Sequence, residues 1–158
     1  MKKIIYIIMA LMCIASCDNP SQNTPVPGPG TEETLASAIA GEWHCTASDF
    51  DADIYINFTK EGSFELYQKI SDGAHRLYQG SWRVSDEALG YINGKYNDGT
   101  EWGSEYAVSM SDDKNHMTMV PRNSAELIEY DYSRQSIPSE VKEKSVVVVK
   151  SDDQSPVL

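Results

Sequence analysis

Two acidic side chains near one predicted strand come closest to a catalytic pair. Glu129 and Asp131 share one face of an alternating segment, and paired carboxylates can act as general acid and base, as in glycosidases. The opposite face carries Ile128, Tyr130 and Tyr132. Because strand side chains alternate between two faces, the pattern favours acids that point outwards and aromatic rings that point inwards. Hydrolysis is therefore the least favoured activity, and we expect no enzyme.

Candidate metal ligands occur in two patterns. Residues 49–53, Asp-Phe-Asp-Ala-Asp, begin like a calcium-binding loop, with carboxylates at alternate positions. The sixth position should be glycine and is Ile54, and the twelfth should be glutamate and is Lys60, so an acidic hairpin connection is favoured over a looser calcium site. The histidines lie on separate predicted strands without zinc-motif spacing, and we predict no metal and no cofactor. They are His44, His75 and His116.

Aromatic side chains at alternating positions form the remaining candidate set. If their faces line the inside of the fold, these large, rigid and partly polar side chains suit a pocket for a small hydrophobic or aromatic molecule, or for a glycan. The same rings can instead simply fill a core, and the sequence leaves both interpretations open. The predicted ligand-binding residues are Trp43, Tyr78, Trp82, Trp102, Tyr106 and Tyr130.

The beginning of the chain has the layout of an export signal. Lys2 and Lys3 precede the uncharged apolar run 4–12, which is too short to span a bilayer as a permanent helix. Residues 14–17, Ile-Ala-Ser-Cys, resemble the bacterial lipobox, whose cysteine is diacylated on its thiol after export. The resemblance implies a lipid on Cys17, and two or three acyl chains give stable anchoring. An ordinary signal peptide with a chance cysteine is the alternative.

Charge and cysteine content limit the partners and the covalent framework. The formal net charge is −11, and the predicted signal removes two lysines and no acid, so the exported form is more acidic still. Such a surface repels nucleic acid and anionic lipid, which makes the lipid anchor more necessary. With Cys13 in the signal and Cys17 acylated, Cys45 has no partner for an internal disulfide. Its alternation with Trp43 predicts burial.

The secondary-structure elements that must position these residues are predicted from the sequence periodicity, which changes from helical to strand-like after residue 40. We predict a signal over residues 1–16 and a proline-rich, lipid-anchored tether over 17–30. Residues 31–40 predict a short helix with Thr31 as N-cap, and Gly41 lies just past its end. The period is two from there on, and turn signals recur about every ten residues. The predicted strands are 43–48, 53–59, 63–70, 75–84, 89–96, 102–110, 116–120 and 126–132.

Eight short strands joined by tight loops predict an all-β fold, an antiparallel up-and-down barrel over residues 31–136. Closure removes exposed edges, and a barrel of eight strands is filled by side chains or holds one small ligand. A two-sheet sandwich is the alternative. Residues 137–158 predict a C-terminal extension, with a helix that has Pro138 near its first turn. The valine run 146–149 should pair with a barrel edge or pack on the wall.

Five short motifs, in this order and spacing, resemble lipocalin-like domain lipoproteins of Bacteroidetes-type bacteria, which have calycin-like barrels. They are Gly41-Glu42-Trp43 and the segments 58–64, 78–84, 94–99 and 137–141. The resemblance covers about residues 38–145 and implies a fold and a compartment, because most such proteins have no assigned activity. It implies more loosely that the barrel binds something apolar or aromatic. True lipocalins usually carry a disulfide, which this chain cannot form.

Three functional hypotheses follow. The favoured one is a lipoprotein anchored to the outer membrane, periplasmic or surface-exposed, whose barrel binds a small hydrophobic or aromatic molecule or a glycan. The second is a non-catalytic envelope lipoprotein that docks a protein partner through an exposed apolar patch. The third is an envelope hydrolase.

Overall fold

Alternate positions along each strand separate an inner face from an outer face. We describe a computed structural model, in which residues 33–47, 52–70, 73–123, 128–152 and 158 are described. Along the second strand, Ile54, Ile56 and Phe58 point inwards and are at most 1% exposed, whereas Asp53 and Asn57 are half-exposed on the outer face. The predicted signal, Cys17 and the tether lie outside the described residues.

Eight strands form a closed antiparallel barrel. Each strand pairs with the strands before and after it in the chain, and the first pairs with the eighth, which closes the ring. This arrangement confirms the predicted fold class and rules out the two-sheet sandwich. The strands are β1 (Gly41–Ala47), β2 (Ala52–Phe58), β3 (Ser63–Ile70), β4 (Arg76–Asp86), β5 (Tyr91–Tyr96), β6 (Tyr106–Met110), β7 (His116–Pro121) and β8 (Tyr130–Arg134).

The sixth strand is shorter than its sequence pattern predicts. It begins at Tyr106 instead of residue 102, because Trp102 still belongs to the connection from β5. The backbone N–H of Trp102 donates to the carbonyl of Gly94 at 2.9 Å, and an isolated bridge joins Lys95 to Glu101. The eighth strand starts and ends later than predicted, at Tyr130–Arg134.

The first helix, α1 (Leu35–Ile39), buries Ile39 in the barrel core, with Leu35 and Ala36 packed against that core. Its N-cap is Thr34, whose hydroxyl accepts a hydrogen bond from the backbone of Ser37; Thr31, the predicted cap, lies outside the described residues. The helix is short because the chain turns into β1 at Gly41, whose φ of 137° lies in the range that favours glycine.

One arginine and one tryptophan fasten α1 to the barrel. The indole Nε1 of Trp43 donates to the carbonyl of Ile39 at 2.8 Å. The Arg134 guanidinium donates to the carbonyls of Ala38 at 2.8 Å and Ala40 at 3.0 Å, and it stacks 4.1 Å from the Trp43 ring centroid. These bonds satisfy carbonyls at the helix end that have no partner within the helix.

Apart from Leu158, which packs in the buried core, the described part of the predicted extension lies outside the ring. It consists of α2 (Ser139–Lys144), the short strand β9 (Val146–Val147) and a 3₁₀ turn over Lys150–Asp152. β9 pairs in parallel with Arg76 and Leu77 at the start of β4, which confirms that the valine run pairs with a barrel edge. Val146 and Val147 nevertheless remain 57% and 67% exposed.

A second apolar cluster fixes the extension to the outer wall. Ile137 and Val141 pack against Tyr55, Tyr67 and Leu77, which point outwards from three neighbouring strands. Among the described residues, no helix has the length and apolar character needed to cross a membrane.

Candidate ligand-binding interior of the barrel

All six predicted ligand-binding aromatics face the interior and belong to one buried cluster. Five of them lie on strands, and Trp102 precedes β6 in the hairpin connection. Their exposed fractions are between 0% and 6%, so all six are buried as an inward face requires. Their role in binding stays a prediction. The six are Trp43, Tyr78, Trp82, Trp102, Tyr106 and Tyr130.

The rings contact one another in a chain across the interior. Trp102 lies between Phe64, at 5.3 Å between centroids, and Tyr106, at 6.0 Å, both edge to face. Tyr106 in turn approaches Tyr130 at 6.5 Å. Edge-to-face pairs of this kind contribute about 0.5–1.5 kcal/mol beyond area burial, so the rings form a rigid lining.

A glycine makes room for the central ring of this lining. Gly94 lies on β5 with its missing side chain directed inwards, and a Cβ there would lie 2.6 Å from Cε2 of Trp102. No real side chain tolerates that distance, so Trp102 depends on this glycine for its position.

The polar tips of the interior aromatics divide into partnered and unpartnered atoms. The indole Nε1 of Trp82 donates to the carbonyl of Thr59 at 3.2 Å, and the Tyr96 hydroxyl donates to the carbonyl of Leu158 at 2.5 Å. Within the described part of the chain, the buried Nε1 of Trp102 and the buried hydroxyl of Tyr132 have no partner. A buried polar atom without a hydrogen bond costs about 1–3 kcal/mol. A bound molecule or water that forms a hydrogen bond with either atom would therefore be stabilised there.

The phenols of the interior are held in their neutral form. Burial raises the pKa of Tyr96, Tyr106 and Tyr132 above the ordinary tyrosine value, and neighbouring tyrosines raise each further. A neutral phenol both donates and accepts a hydrogen bond. The interior is thus an uncharged lining with polar points, which suits a mostly apolar guest.

Sequence reasoning missed Tyr96 and Leu158 as interior polar or capping residues. The period of two places Tyr132 on the inner face with Tyr130, but Tyr132 is not among the predicted ligand-binding residues. No local pattern marks Leu158, which is 3% exposed and packs in the same cluster.

Two described cavities open beside this interior. One, of about 360 Å³, lies beside α1 and touches Trp82 and Val84. The other, of about 240 Å³, is mostly apolar and lies between Tyr96 and residues 147–150. Each touches an edge of the aromatic lining, and neither is enclosed by the six predicted residues together.

A histidine pair on the outer wall was not anticipated. The Nε2 atoms of His44 and His75 each lie 3.1 Å from a different oxygen of the Asp53 carboxylate. Tyr55 stacks on the His44 ring with centroids 4.3 Å apart. Among the residues that the structure describes, no three His, Cys, Asp or Glu side chains are grouped to hold a metal ion. The calcium-like segment is described only from residue 52.

The candidate acid–base pair lies on the outer wall. Glu129 is exposed, and one Asp131 oxygen accepts a hydrogen bond from the Thr118 hydroxyl at 2.7 Å. Tyr130 and Tyr132 are buried on the opposite face, so the predicted arrangement of acids and rings is confirmed.

Comparison with protein-family models gives no match, and comparison with curated proteins gives no significant match either. The closed eight-stranded barrel is consistent with the lipocalin-like fold that the sequence motifs resemble.

Proposed function

We propose that this protein is a non-catalytic binding module: a barrel, carried on an exported lipoprotein, that holds a small hydrophobic or aromatic molecule. One observation carries the proposal. The interior is lined by aromatic rings, yet Trp102 Nε1 and the Tyr132 hydroxyl have no protein partner among the described residues. A barrel that served only as a packed core would gain stability by losing these polar atoms. A ligand with one or two polar groups on an apolar body would use them.

Ligand class follows from the balance of the lining. The large aromatic faces contact the apolar surface of a ligand, and a small number of polar groups fix its orientation, as in most small-molecule sites. A glycan, which needs many hydrogen bonds, suits this lining less well than a mostly apolar molecule does.

The binding experiment compares two tyrosine-to-phenylalanine variants, each of which lacks one hydroxyl. Native mass spectrometry of the protein purified from its own host should reveal a co-purifying small molecule. The Tyr132→Phe variant should bind that molecule about fivefold more weakly, because one hydrogen bond to ligand is lost. Tyr67→Phe, on the outer wall, is the control and should leave affinity unchanged. An interior that holds no molecule, and equal affinities where one is found, would each count against the proposal.

For the compartment, we propose a lipid on Cys17 and attachment to the outer membrane of the cell envelope, periplasmic or surface-exposed, as in lipocalin-like lipoproteins of Bacteroidetes-type bacteria. The lipobox-like residues 14–17 and the acidic composition support this proposal. Cells fed labelled palmitate should label the wild-type protein, whereas Cys17→Ser should lose both the label and sedimentation with membranes. A Cys45→Ser control should keep both. Equal labelling of wild type and Cys17→Ser would disprove the lipid site.

The alternative function is docking of a protein partner, and one observation favours it. Val146, Val147 and Val149 are 57%, 67% and 47% exposed, and they follow one another along the outer edge of the barrel. Exposed apolar strips on strand edges often mark interaction sites. Replacing Val147 with lysine should abolish crosslinking to an envelope protein in living cells, while Leu89→Lys, at another exposed apolar position, should not. Identical crosslinking patterns in wild type and Val147→Lys would exclude this strip as the docking site.

A further inference from the structure

A single leucine from outside the strand ladder fills part of the barrel interior. Leu158 is 3% exposed and packs in the same buried cluster as the aromatic lining. Among the buried residues of the described core, it is the one that follows β9 in the chain. Earlier in the chain, the Lys150 Nζ stands 5.8 Å from the Tyr96 ring centroid, and the Ser151 N–H donates to an Asp98 carboxylate oxygen at 2.8 Å.

The contact that Leu158 makes has the form of a ligand contact. The Tyr96 hydroxyl donates to its backbone carbonyl at 2.5 Å, and the aliphatic side chain is buried among apolar residues. Tyr96 itself is 3% exposed and stands edge to face with Phe64 and Tyr78. An aliphatic group with an oxygen acceptor next to it thus occupies a position lined by rings. The described hydrogen bond to Leu158 comes from the Tyr96 side chain and not from the backbone of a paired strand.

We propose that Leu158 occupies the ligand position of the barrel, and that the ligand which replaces it is an aliphatic acyl compound whose carbonyl or carboxylate oxygen accepts the hydrogen bond from Tyr96. This inference rests on the proposed function and adds to it a ligand class, a specific donor and a competitor within the chain. The apolar cavity between Tyr96 and residues 147–150 lies beside the same hydroxyl-bearing ring.

The competition has a calculable consequence. When the binding-competent state is a minor fraction of molecules, the apparent dissociation constant is raised by the inverse of that fraction. If Leu158 fills the position in about nine of ten molecules, its removal tightens binding about tenfold. Removal of an ordinary core leucine would also open a cavity that binds apolar probes, so the diagnostic result is that the wild type itself binds the probe and releases Leu158 when it does.

The experiment uses the whole chain as its host processes it, in lipid nanodiscs, with empty nanodiscs as the blank. The probes are 4-methylpentanamide and 4-methylpentanoate, which share the leucine skeleton and an oxygen acceptor, and 2-methylpentane, which has the same branched chain without any polar group. Calorimetry should show that Leu158→Ser binds the amide about tenfold more tightly than the wild type does. Leu89→Ser, at an exposed position, is the matched control and should bind like the wild type.

The donor is tested in the same titrations. Tyr96→Phe in the Leu158→Ser background should weaken binding of the amide about fivefold and leave binding of 2-methylpentane unchanged, since that hydrocarbon neither accepts nor donates a hydrogen bond. Comparison of the amide with the carboxylate then tells whether the preferred acyl compound is neutral or anionic.

A measurement without substitution keeps the inference falsifiable if the variants fold poorly. Hydrogen–deuterium exchange of the wild type should become faster in the peptide ending at Leu158 when the amide is added, while β5 becomes better protected. Tighter binding to Leu158→Ser without faster exchange at that peptide in the probe-bound wild type, or binding that does not depend on Leu158, overturns this inference and leaves the proposed function standing. No binding of any probe or host molecule to a folded wild type and a folded Leu158→Ser overturns both.

Discussion

Removal of the unpartnered hydroxyl of Tyr132 provides a test that distinguishes a packed core from a binding interior. Tyr132 is 1% exposed, and its hydroxyl has no hydrogen-bond partner among the described residues. Removing the oxygen in Tyr132→Phe keeps the ring and relieves a desolvation penalty of about 1–3 kcal/mol. The vacated space is smaller than a methyl group, which limits the packing loss to under about 1 kcal/mol. We expect the ligand-free variant to be about 1 kcal/mol more stable than the wild type.

The matched control is Tyr96→Phe, which also removes one buried hydroxyl from an interior ring. That hydroxyl donates to the Leu158 carbonyl, so its loss leaves an acceptor unpartnered and should lower the free energy of unfolding by about 1–3 kcal/mol. Urea unfolding of protein freed of small molecules by unfolding and refolding measures both changes, and the slopes should agree among the proteins. If Tyr132→Phe is destabilised as much as Tyr96→Phe, the Tyr132 hydroxyl has a partner in the free protein and the reasoning behind the binding site fails.

Two further predictions test the packing and the electrostatics around the interior. Gly94→Ala should destabilise the fold by about 1–3 kcal/mol, because its methyl group would meet both the Ser81 carbonyl oxygen and the Trp102 ring, whereas Gly103→Ala has open space and should be near neutral in the same urea unfolding. Burial alone would raise the pKa of Glu42, but hydrogen bonds from Lys142 and from a backbone N–H outweigh it and lower that pKa. The lowered pKa contributes stability that is present above the ordinary value of 4.5 and is lost as the pH falls through the folded-state value, so Glu42→Gln should flatten the fall in unfolding free energy below pH 4.5. An equally steep acid slope in the variant would exclude this contribution.

The part of the molecule that the sequence predicts is the part governed by local periodicity. The period of two places Trp43 and Cys45 inside on β1, and Cys45 is indeed buried, at 7% exposed. It also places Asp131 outside and Tyr130 inside on β8. These predictions succeed because a side chain's face depends on its parity along one strand, and parity is visible in the sequence.

The features that carry the functional argument depend on distances between strands, which parity does not give. The bond from Tyr96 to Leu158 joins residues 62 positions apart. The contacts of Asp53 with His44 and His75 need the register of β1, β2 and the approach to β4 together. That Trp102 Nε1 lacks a partner can be known only when every neighbour is placed. A sequence pattern therefore identifies the residues of the lining. The hydrogen bonds of the folded chain show which of their polar atoms remain without a partner and can bond to a ligand.

The aromatic interior can be both a packed core and a binding site if one of its side chains can be replaced by a ligand. The strand-borne rings are fixed by the ladder of the closed barrel, and their neutral phenols add no charge that a ligand must neutralise. Leu158 is held by packing and by the described bond from one side chain. An acyl ligand that takes its place buries a similar apolar surface and accepts the same hydrogen bond. The barrel then keeps a filled core whether or not it holds a ligand, so exchange need not lower its stability, and affinity is set by the difference between guest and leucine.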